Sequence, residues 1–141
     1  YKIHADNNSM YNTPPCYTIY ILGKVLAWVE KNGGTEGMKK RNEEKAKLLY
    51  DYLDASSFYR GTARKDSRSL MNVPFVTREP DAEKAAALNK KFVAQAAQAG
   101  LVNLAGHRLV GGMRASIYNA MDIDGVRALI AFMDTFAKEN A

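Results

Sequence analysis

The sequence predicts an α+β domain: a small, largely antiparallel sheet with helices on one face. Three observations carry this reading. Four segments repeat apolar residues at three- and four-residue steps, as helices with one buried side do. Residues 70–77 and 113–118 alternate their side chains with a period of two, as strands do. The elements follow in the order helix, helix, strand, helix, strand, strand, helix, which implies helices gathered against an antiparallel sheet.

The bulk properties agree. A chain of 141 residues suits one domain with a real core. The net charge is +5, and basic and acidic residues are interspersed except at residues 60–68. There Arg60, Arg64, Lys65 and Arg68 face only Asp66. Such a run can contact nucleic acid; a solvated loop is the plainer expectation. The single cysteine, Cys16, rules out an internal disulfide and fits a reducing, cytoplasmic setting. No apolar run is long enough to cross a membrane, and no signal-peptide pattern is present.

The elements can be justified in order. Residues 1–11 are polar and aperiodic, which predicts an extended segment. His4 and Asp6 have no further ligand at metal-site spacing, so no metal is expected. Asn12-Thr13-Pro14-Pro15 reads as a helix start, with Thr13 as the cap and proline in the first turn. The helix runs to about Lys31. Ile21, Leu22, Val25, Leu26 and Val29 form its stripe, with Trp28 beside it in the core or at a subunit contact. Cys16, in the first turn, is expected to be a small buried residue. Asn32-Gly33-Gly34 ends this helix with residues that tolerate left-handed dihedrals.

Thr35 is expected to cap a second helix whose apolar side is Met38, Ala46, Leu49 and Leu53, fading at residues 54–57. Tyr50, Tyr52, Phe58 and Tyr59 are expected to pack as a cluster. In the strand at residues 70–77, Pro74 cannot donate to a ladder and argues for an edge or a bulge. Pro80 opens a third helix, with Leu88, Phe92 and Ala96 at four-residue steps and Gly100 as its stop. Residues 101–104 are a short strand candidate, residues 106–112 a loop, and residues 113–118 the returning strand. A two-residue hairpin at Gly111-Gly112 is the alternative; the longer loop leaves His107 and Arg108 free to face a ligand. The last helix is capped by Asp122, with Ile123, Val126, Ile130 and Met133 as its stripe.

Residues 106–119 concentrate the chemistry. His107, Arg108 and Arg114 fall within eight positions among three glycines. Arginine forks match carboxylates and phosphates, histidine adds a donor that titrates near neutrality, and glycines allow close backbone approach. On the strand, Arg114, Ser116 and Tyr118 share one face, and Met113, Ala115 and Ile117 the other.

Gly106-His107-Arg108 and the run from Gly111 to Ala120 resemble the carboxy-terminal signature of the phosphoserine aminotransferases, class V-type pyridoxal-phosphate enzymes. Ser9-Met10-Tyr11-Asn12-Thr13-Pro14-Pro15, Asn32-Gly33-Gly34 and Met71-Asn72-Val73-Pro74-Phe75 are similar to the same family in the same order. The resemblance covers nearly the whole chain. It implies the small carboxy-terminal domain of the aspartate-aminotransferase-like fold (fold type I) for residues 13–141, with residues 1–12 leading in from a large domain. It also implies a pyridoxal 5'-phosphate cofactor and a homodimer, and neither nucleic acid nor membrane as partner. The substrates would be phosphoserine, 2-oxoglutarate, 3-phosphohydroxypyruvate and glutamate.

Carried over residue by residue, Asn12 and Thr13 would hold the cofactor phosphate of the other subunit's site. Arg114 would take the substrate α-carboxylate, and His107 and Arg108 the substrate phosphate. The family's Schiff-base lysine and the acidic partner of the pyridine nitrogen both lie upstream of the Asn-Thr pair. Only Lys2 precedes Asn12 here, in surroundings unlike that motif. These 141 residues are therefore expected to be a fragment, inert alone. The alternatives are a domain of another fold type I transaminase, or a basic nucleic-acid-binding module using residues 60–68.

Overall fold

The computed structural model describes residues 1–141. It divides into two compact units, residues 1–38 and 39–141.

The first unit is helical. Residues Lys2–Asp6 form helix α1 rather than an extended segment. The Asn7 amide returns to the Ile3 carbonyl at 2.8 Å, and Asn8 and Ser9 then turn the chain with positive φ. Helix α2 spans Cys16–Lys31. Its start differs from expectation: the cap position is Pro15, and Thr13 makes no capping bond. The cause is the proline pair. Each proline disfavours helical dihedrals in the residue before it, so neither Thr13 nor Pro14 can open the helix. Cys16 is exposed rather than buried, because α2 buries none of its residues. The stripe of Ile21, Leu22, Val25 and Leu26 is exposed as well. The stop is as expected: Asn32 is the C-cap, and Gly33 and Gly34 have φ of 90° and 66°. Helix α3, Gly34–Ala55, follows at once. Thr35 thus lies inside its first turn and is not its cap. The division between the units falls within α3, after Met38.

The second unit contains a three-stranded antiparallel sheet in the order β1-β2-β3. Strand β1 is Tyr59–Gly61, β2 is Asn72–Thr77 and β3 is Met113–Ser116. Helix α4 spans Ala82–Gln98 and α5 spans Ile123–Asn140. Both start on aspartate caps: Asp81 accepts from the Lys84 N–H and Asp122 from the Ile123 N–H. Alternation in β2 buries Val73, Phe75 and Thr77, and in β3 Met113 and Ala115. These meet Leu49 and Leu53 of α3, Phe92 and Ala96 of α4, and Val126, Leu129, Met133 and Phe136 of α5. Leu129 and Phe136 therefore belong to the α5 stripe, while Ile130 is only partly buried. Tyr50 and Tyr59 are buried, with Tyr52 and Phe58 packed against the same core, as the aromatic cluster predicts. Tyr59 donates its hydroxyl to the Met133 carbonyl, and burial pushes its pKa upward.

Three strand expectations change. Strand β1 carries no sequence signal, since three residues are too short to display a period. Residues 101–104 form no strand: Asn103 has φ of 62°, and only an isolated bridge joins Ala105 to Met113. Pro74 lies in the central strand, not at an edge of the sheet. Its carbonyl accepts from the Thr62 N–H, so the missing proline N–H points the same way, just past the end of β1 at Gly61. That position lies just past the last paired residue of β1, so the one bond forgone is at the end of the ladder.

Candidate functional site

The loop between α4 and β3 is closed by its own backbone. Gly106 donates to the Gly112 carbonyl, and both Val110 and Gly111 donate to the His107 carbonyl. This is the longer loop, not a hairpin turn at Gly111-Gly112. Gly106 is needed for close approach: a methyl there would overlap the Gly111 carbonyl oxygen. Gly106→Ala should therefore open the loop. Amide exchange at Val110 and Gly111 should speed up by about tenfold or more while the sheet amides stay protected.

His107 and Arg108 stand exposed on this loop. They line a groove of about 660 Å³ between the loop and α4, whose other wall includes Ala82, Ala86, Asn89 and Lys90. The His107 ring accepts the Leu109 N–H at Nδ1, 3.3 Å away. A neutral ring in that arrangement carries its proton on Nε2, free to donate outward. Arg108 has no carboxylate partner; every ion pair of the chain lies elsewhere.

Arg114 is positioned differently. It sits on β3 opposite Pro74, on the face that alternates with the buried residues. Its N–H donates to the Leu104 carbonyl at 2.8 Å. Its Nε is shut away from water with no partner. Along the same face runs a chain of hydrogen bonds: Ser116 donates to the Asn72 Oδ1, and the Asn72 amide donates to the Tyr118 hydroxyl oxygen at 2.8 Å. The period of β3 put Ser116 and Tyr118 beside Arg114. Asn72, on the neighbouring strand, could be found only from the register. The structure thus joins His107 with Arg108 at one groove and sets Arg114 on the sheet face. Asn12 and Thr13 lie in the first unit, both exposed and without a hydrogen-bond partner for their side chains.

The basic run at residues 60–68 is mostly neutralised. Arg68 grips Asp54 with both terminal nitrogens and stacks on the Tyr50 ring, 4.4 Å from its centre. Lys65 joins the same carboxylate, and Arg64 pairs with Asp66. The hydrogen bonds from Arg68 hold the Asp54 carboxyl down at about 2.

The chain matches the family model described as aminotransferase class-V over residues 1–129. It belongs to the class-V aminotransferase family. A phosphoserine aminotransferase of Nitrosomonas europaea is 52% identical over 141 residues, matching all of this chain and 37% of its own length. That of Desulfosudis oleivorans is 55% identical, over 99% of this chain and 37% of its own. Among solved structures, phosphoserine aminotransferase from Bacillus circulans subsp. alkalophilus superposes with a TM-score of 0.90 at 45% identity, covering 100% of this chain and 38% of that one. The pyridoxal-phosphate-bound enzyme from Trichomonas vaginalis gives 0.84 at 39% identity, over 95% and 37%. This class-V aminotransferase chain therefore spans a little over a third of the length of the relatives it matches.

One feature of the class-V chain was invisible in its residue pattern. Lys45 has no exposed surface. Its ammonium donates to the carbonyls of Ile117, Tyr118 and Met121 at 2.9, 2.7 and 3.0 Å. Asn42, one turn earlier on α3, is also buried and donates to the Asn119 side chain. A lysine among charged neighbours on a helix gives no signal of burial; only a partner element rich in unpaired carbonyls could have revealed it. No helix of the chain is long and apolar enough to cross a membrane.

Proposed function

We propose that these residues are the carboxy-terminal part of a phosphoserine aminotransferase, with residues 13–141 as its small domain. The whole protein interconverts O-phospho-L-serine and 2-oxoglutarate with 3-phosphohydroxypyruvate and L-glutamate. It works as a cytoplasmic homodimer with pyridoxal 5'-phosphate. The observation that carries this reading is the unneutralised Arg108 beside His107 at a groove, with Arg114 on a separate face. A substrate with a phosphate at one end and a carboxylate at the other calls for two such cationic stations.

The donor chemistry suits the cofactor. The Asn12 amide and Thr13 hydroxyl are exposed and uncommitted, which fits a phosphate; the prolines after them have no N–H to add. Pyridoxal phosphate, when bound, supplies the electron sink that stabilises the carbanion at Cα. The residues of this chain bind and orient. Arg114 takes the α-carboxylate through its guanidinium fork. His107, through Nε2–H, and Arg108 take the phosphate. Two fixed anchors restrict rotation of the substrate and so aim its Cα–H bond. Glutamate has two carboxylates, and its distal one takes the phosphate station.

The amine that carries the cofactor is assigned to the large domain. Eleven of the twelve lysines here are exposed, and Lys45 spends all three N–H bonds on carbonyls. These residues alone are accordingly expected to be inert. In the full-length holoenzyme, Arg108→Ala should lower kcat/KM for phosphoserine by about a hundredfold, the worth of a charged hydrogen-bonded pair. Alanine, which has no distal anion, should lose less than about threefold. Equal losses for the two amino donors would point instead to a transaminase that does not read phosphate.

A further inference from the structure

Lys45 is a buried cation without a buried counter-ion. Taking an ammonium out of water is costly unless every N–H is satisfied. Here every one is, by the backbone of the segment that leaves β3. Burial lowers the pKa of Lys45, Arg41 lowers it further, and Asp122 opposes both. Those two side chains pair with each other at 3.4 Å.

The position of that segment matters because β3 is an edge strand. Its only partner strand is β2, its other side meets Ala105 and Leu104 at Met113 and Arg114, and its ladder ends where the Ile117 N–H donates to the Met71 carbonyl. Beyond that point nothing in the sheet holds the chain. Lys45 gathers three carbonyls there, Asn42 adds Asn119, and Arg41 adds Asp122, the cap of α5. Three side chains of α3, at positions 41, 42 and 45, thus clamp residues 117–122. Arg114 lies three residues before the clamp and makes no side-chain hydrogen bond or ion pair of its own. Its guanidinium inherits its pose from the backbone of β3.

We propose that Lys45 is a positioning residue for Arg114: by gathering the carbonyls of Ile117, Tyr118 and Met121 on one ammonium, it fixes the free end of β3 and with it the direction of the carboxylate-binding guanidinium. This rests on the reading of Arg114 as the carboxylate anchor. A purely structural lysine would stabilise the fold but would leave the worth of Arg114 unchanged, so the two roles separate in a double-mutant cycle.

The cycle uses the full-length, cofactor-loaded enzyme with Lys45→Met, Arg114→Ala and the double variant. The readout is equilibrium binding of 3-phosphoglycerate by calorimetry. This acid has a carboxylate and a phosphate but no amino or keto group, so binding is measured without turnover, and its phosphate keeps it bound when Arg114 is gone. Lys45→Met should weaken binding about tenfold when Arg114 is present and less than about twofold when it is not. Lys45→Gln, which keeps donors for part of the clamp, should fold even where the methionine variant does not, and should give a smaller loss of about threefold with the same dependence on Arg114. Equal losses in both backgrounds would overturn the positioning role while leaving Arg114 as the anchor. If Arg114→Ala alone left binding unchanged, the anchor reading itself would fail, and the role of Lys45 with it.

Discussion

With Arg114 as the proposed α-carboxylate anchor, Arg114→Ala in the full-length holoenzyme should lower kcat/KM about a thousandfold, and by a similar factor for phosphoserine and for glutamate. Both substrates present an α-carboxylate, so the loss cannot depend on what lies at the other end. The size follows from the surroundings. The Nε of Arg114 is already out of water and has no partner, so the protein has met part of the desolvation cost of this group before any ligand arrives. Removing one member of a desolvated charge pair costs about 4 kcal/mol, most of it from the carboxylate left unpaired. Arg114→Lys should recover only part of the activity, because a compact ammonium cannot reproduce a planar two-pronged contact. Steady-state kinetics with both amino donors checks this. A loss confined to phosphoserine would assign Arg114 to the phosphate and exchange its role with that of Arg108.

The same residues show how far the sequence reaches. The period of two in residues 113–118 put Arg114 on the face away from the core, and Met113 and Ala115 are indeed buried while Arg114 is not. The helix stops at Asn32-Gly33-Gly34 and Gly100 and the cap at Asp122 were legible because they are local: a positive φ or a single side-chain oxygen decides them. The departures from these expectations have physical causes. At Thr13 and Thr35 a good capping residue was present, but its neighbours overruled it, through a proline pair in one case and a glycine that had already begun the helix in the other. At Pro74 and Lys45 the deciding partner lies elsewhere in the chain. Whether a proline can enter a central strand depends on where β1 ends, and whether a lysine can be buried depends on which carbonyls face it. Cys16 and the α2 stripe add a third point. Periodicity marks a face as apolar without saying what covers it, and within these residues α2 remains exposed.

Phe92→Ala should be the most damaging single truncation in the core of residues 39–141, at about 4 kcal/mol. The ring has no exposed surface and stands at the centre of an aromatic cluster. It meets Phe132 and Phe136 at 5.1 Å, Phe75 at 5.8 Å and Tyr59 at 5.9 Å, each edge-to-face. These four partners come from α5, β2 and β1, so the cavity would open where all of these elements meet α4. Four rigid rings cannot collapse into the space as flexible aliphatic chains would, which puts the cost near the upper part of the range for such truncations. A larger enzyme need not unfold in one step, so the fitting observable is local: exchange of the β2–β3 ladder amides at Val73, Phe75 and Ala115. Their protection should fall by roughly a thousandfold where exchange follows opening of this unit. Phe92→Leu should lose much less, about 1 to 2 kcal/mol, because most of the volume is kept. If alanine and leucine cost the same, the edge-to-face contacts rather than the filled volume would be holding the sheet to α4. The site would then depend on ring orientation as well, since Phe75 and Met113 are paired in the register that carries Arg114.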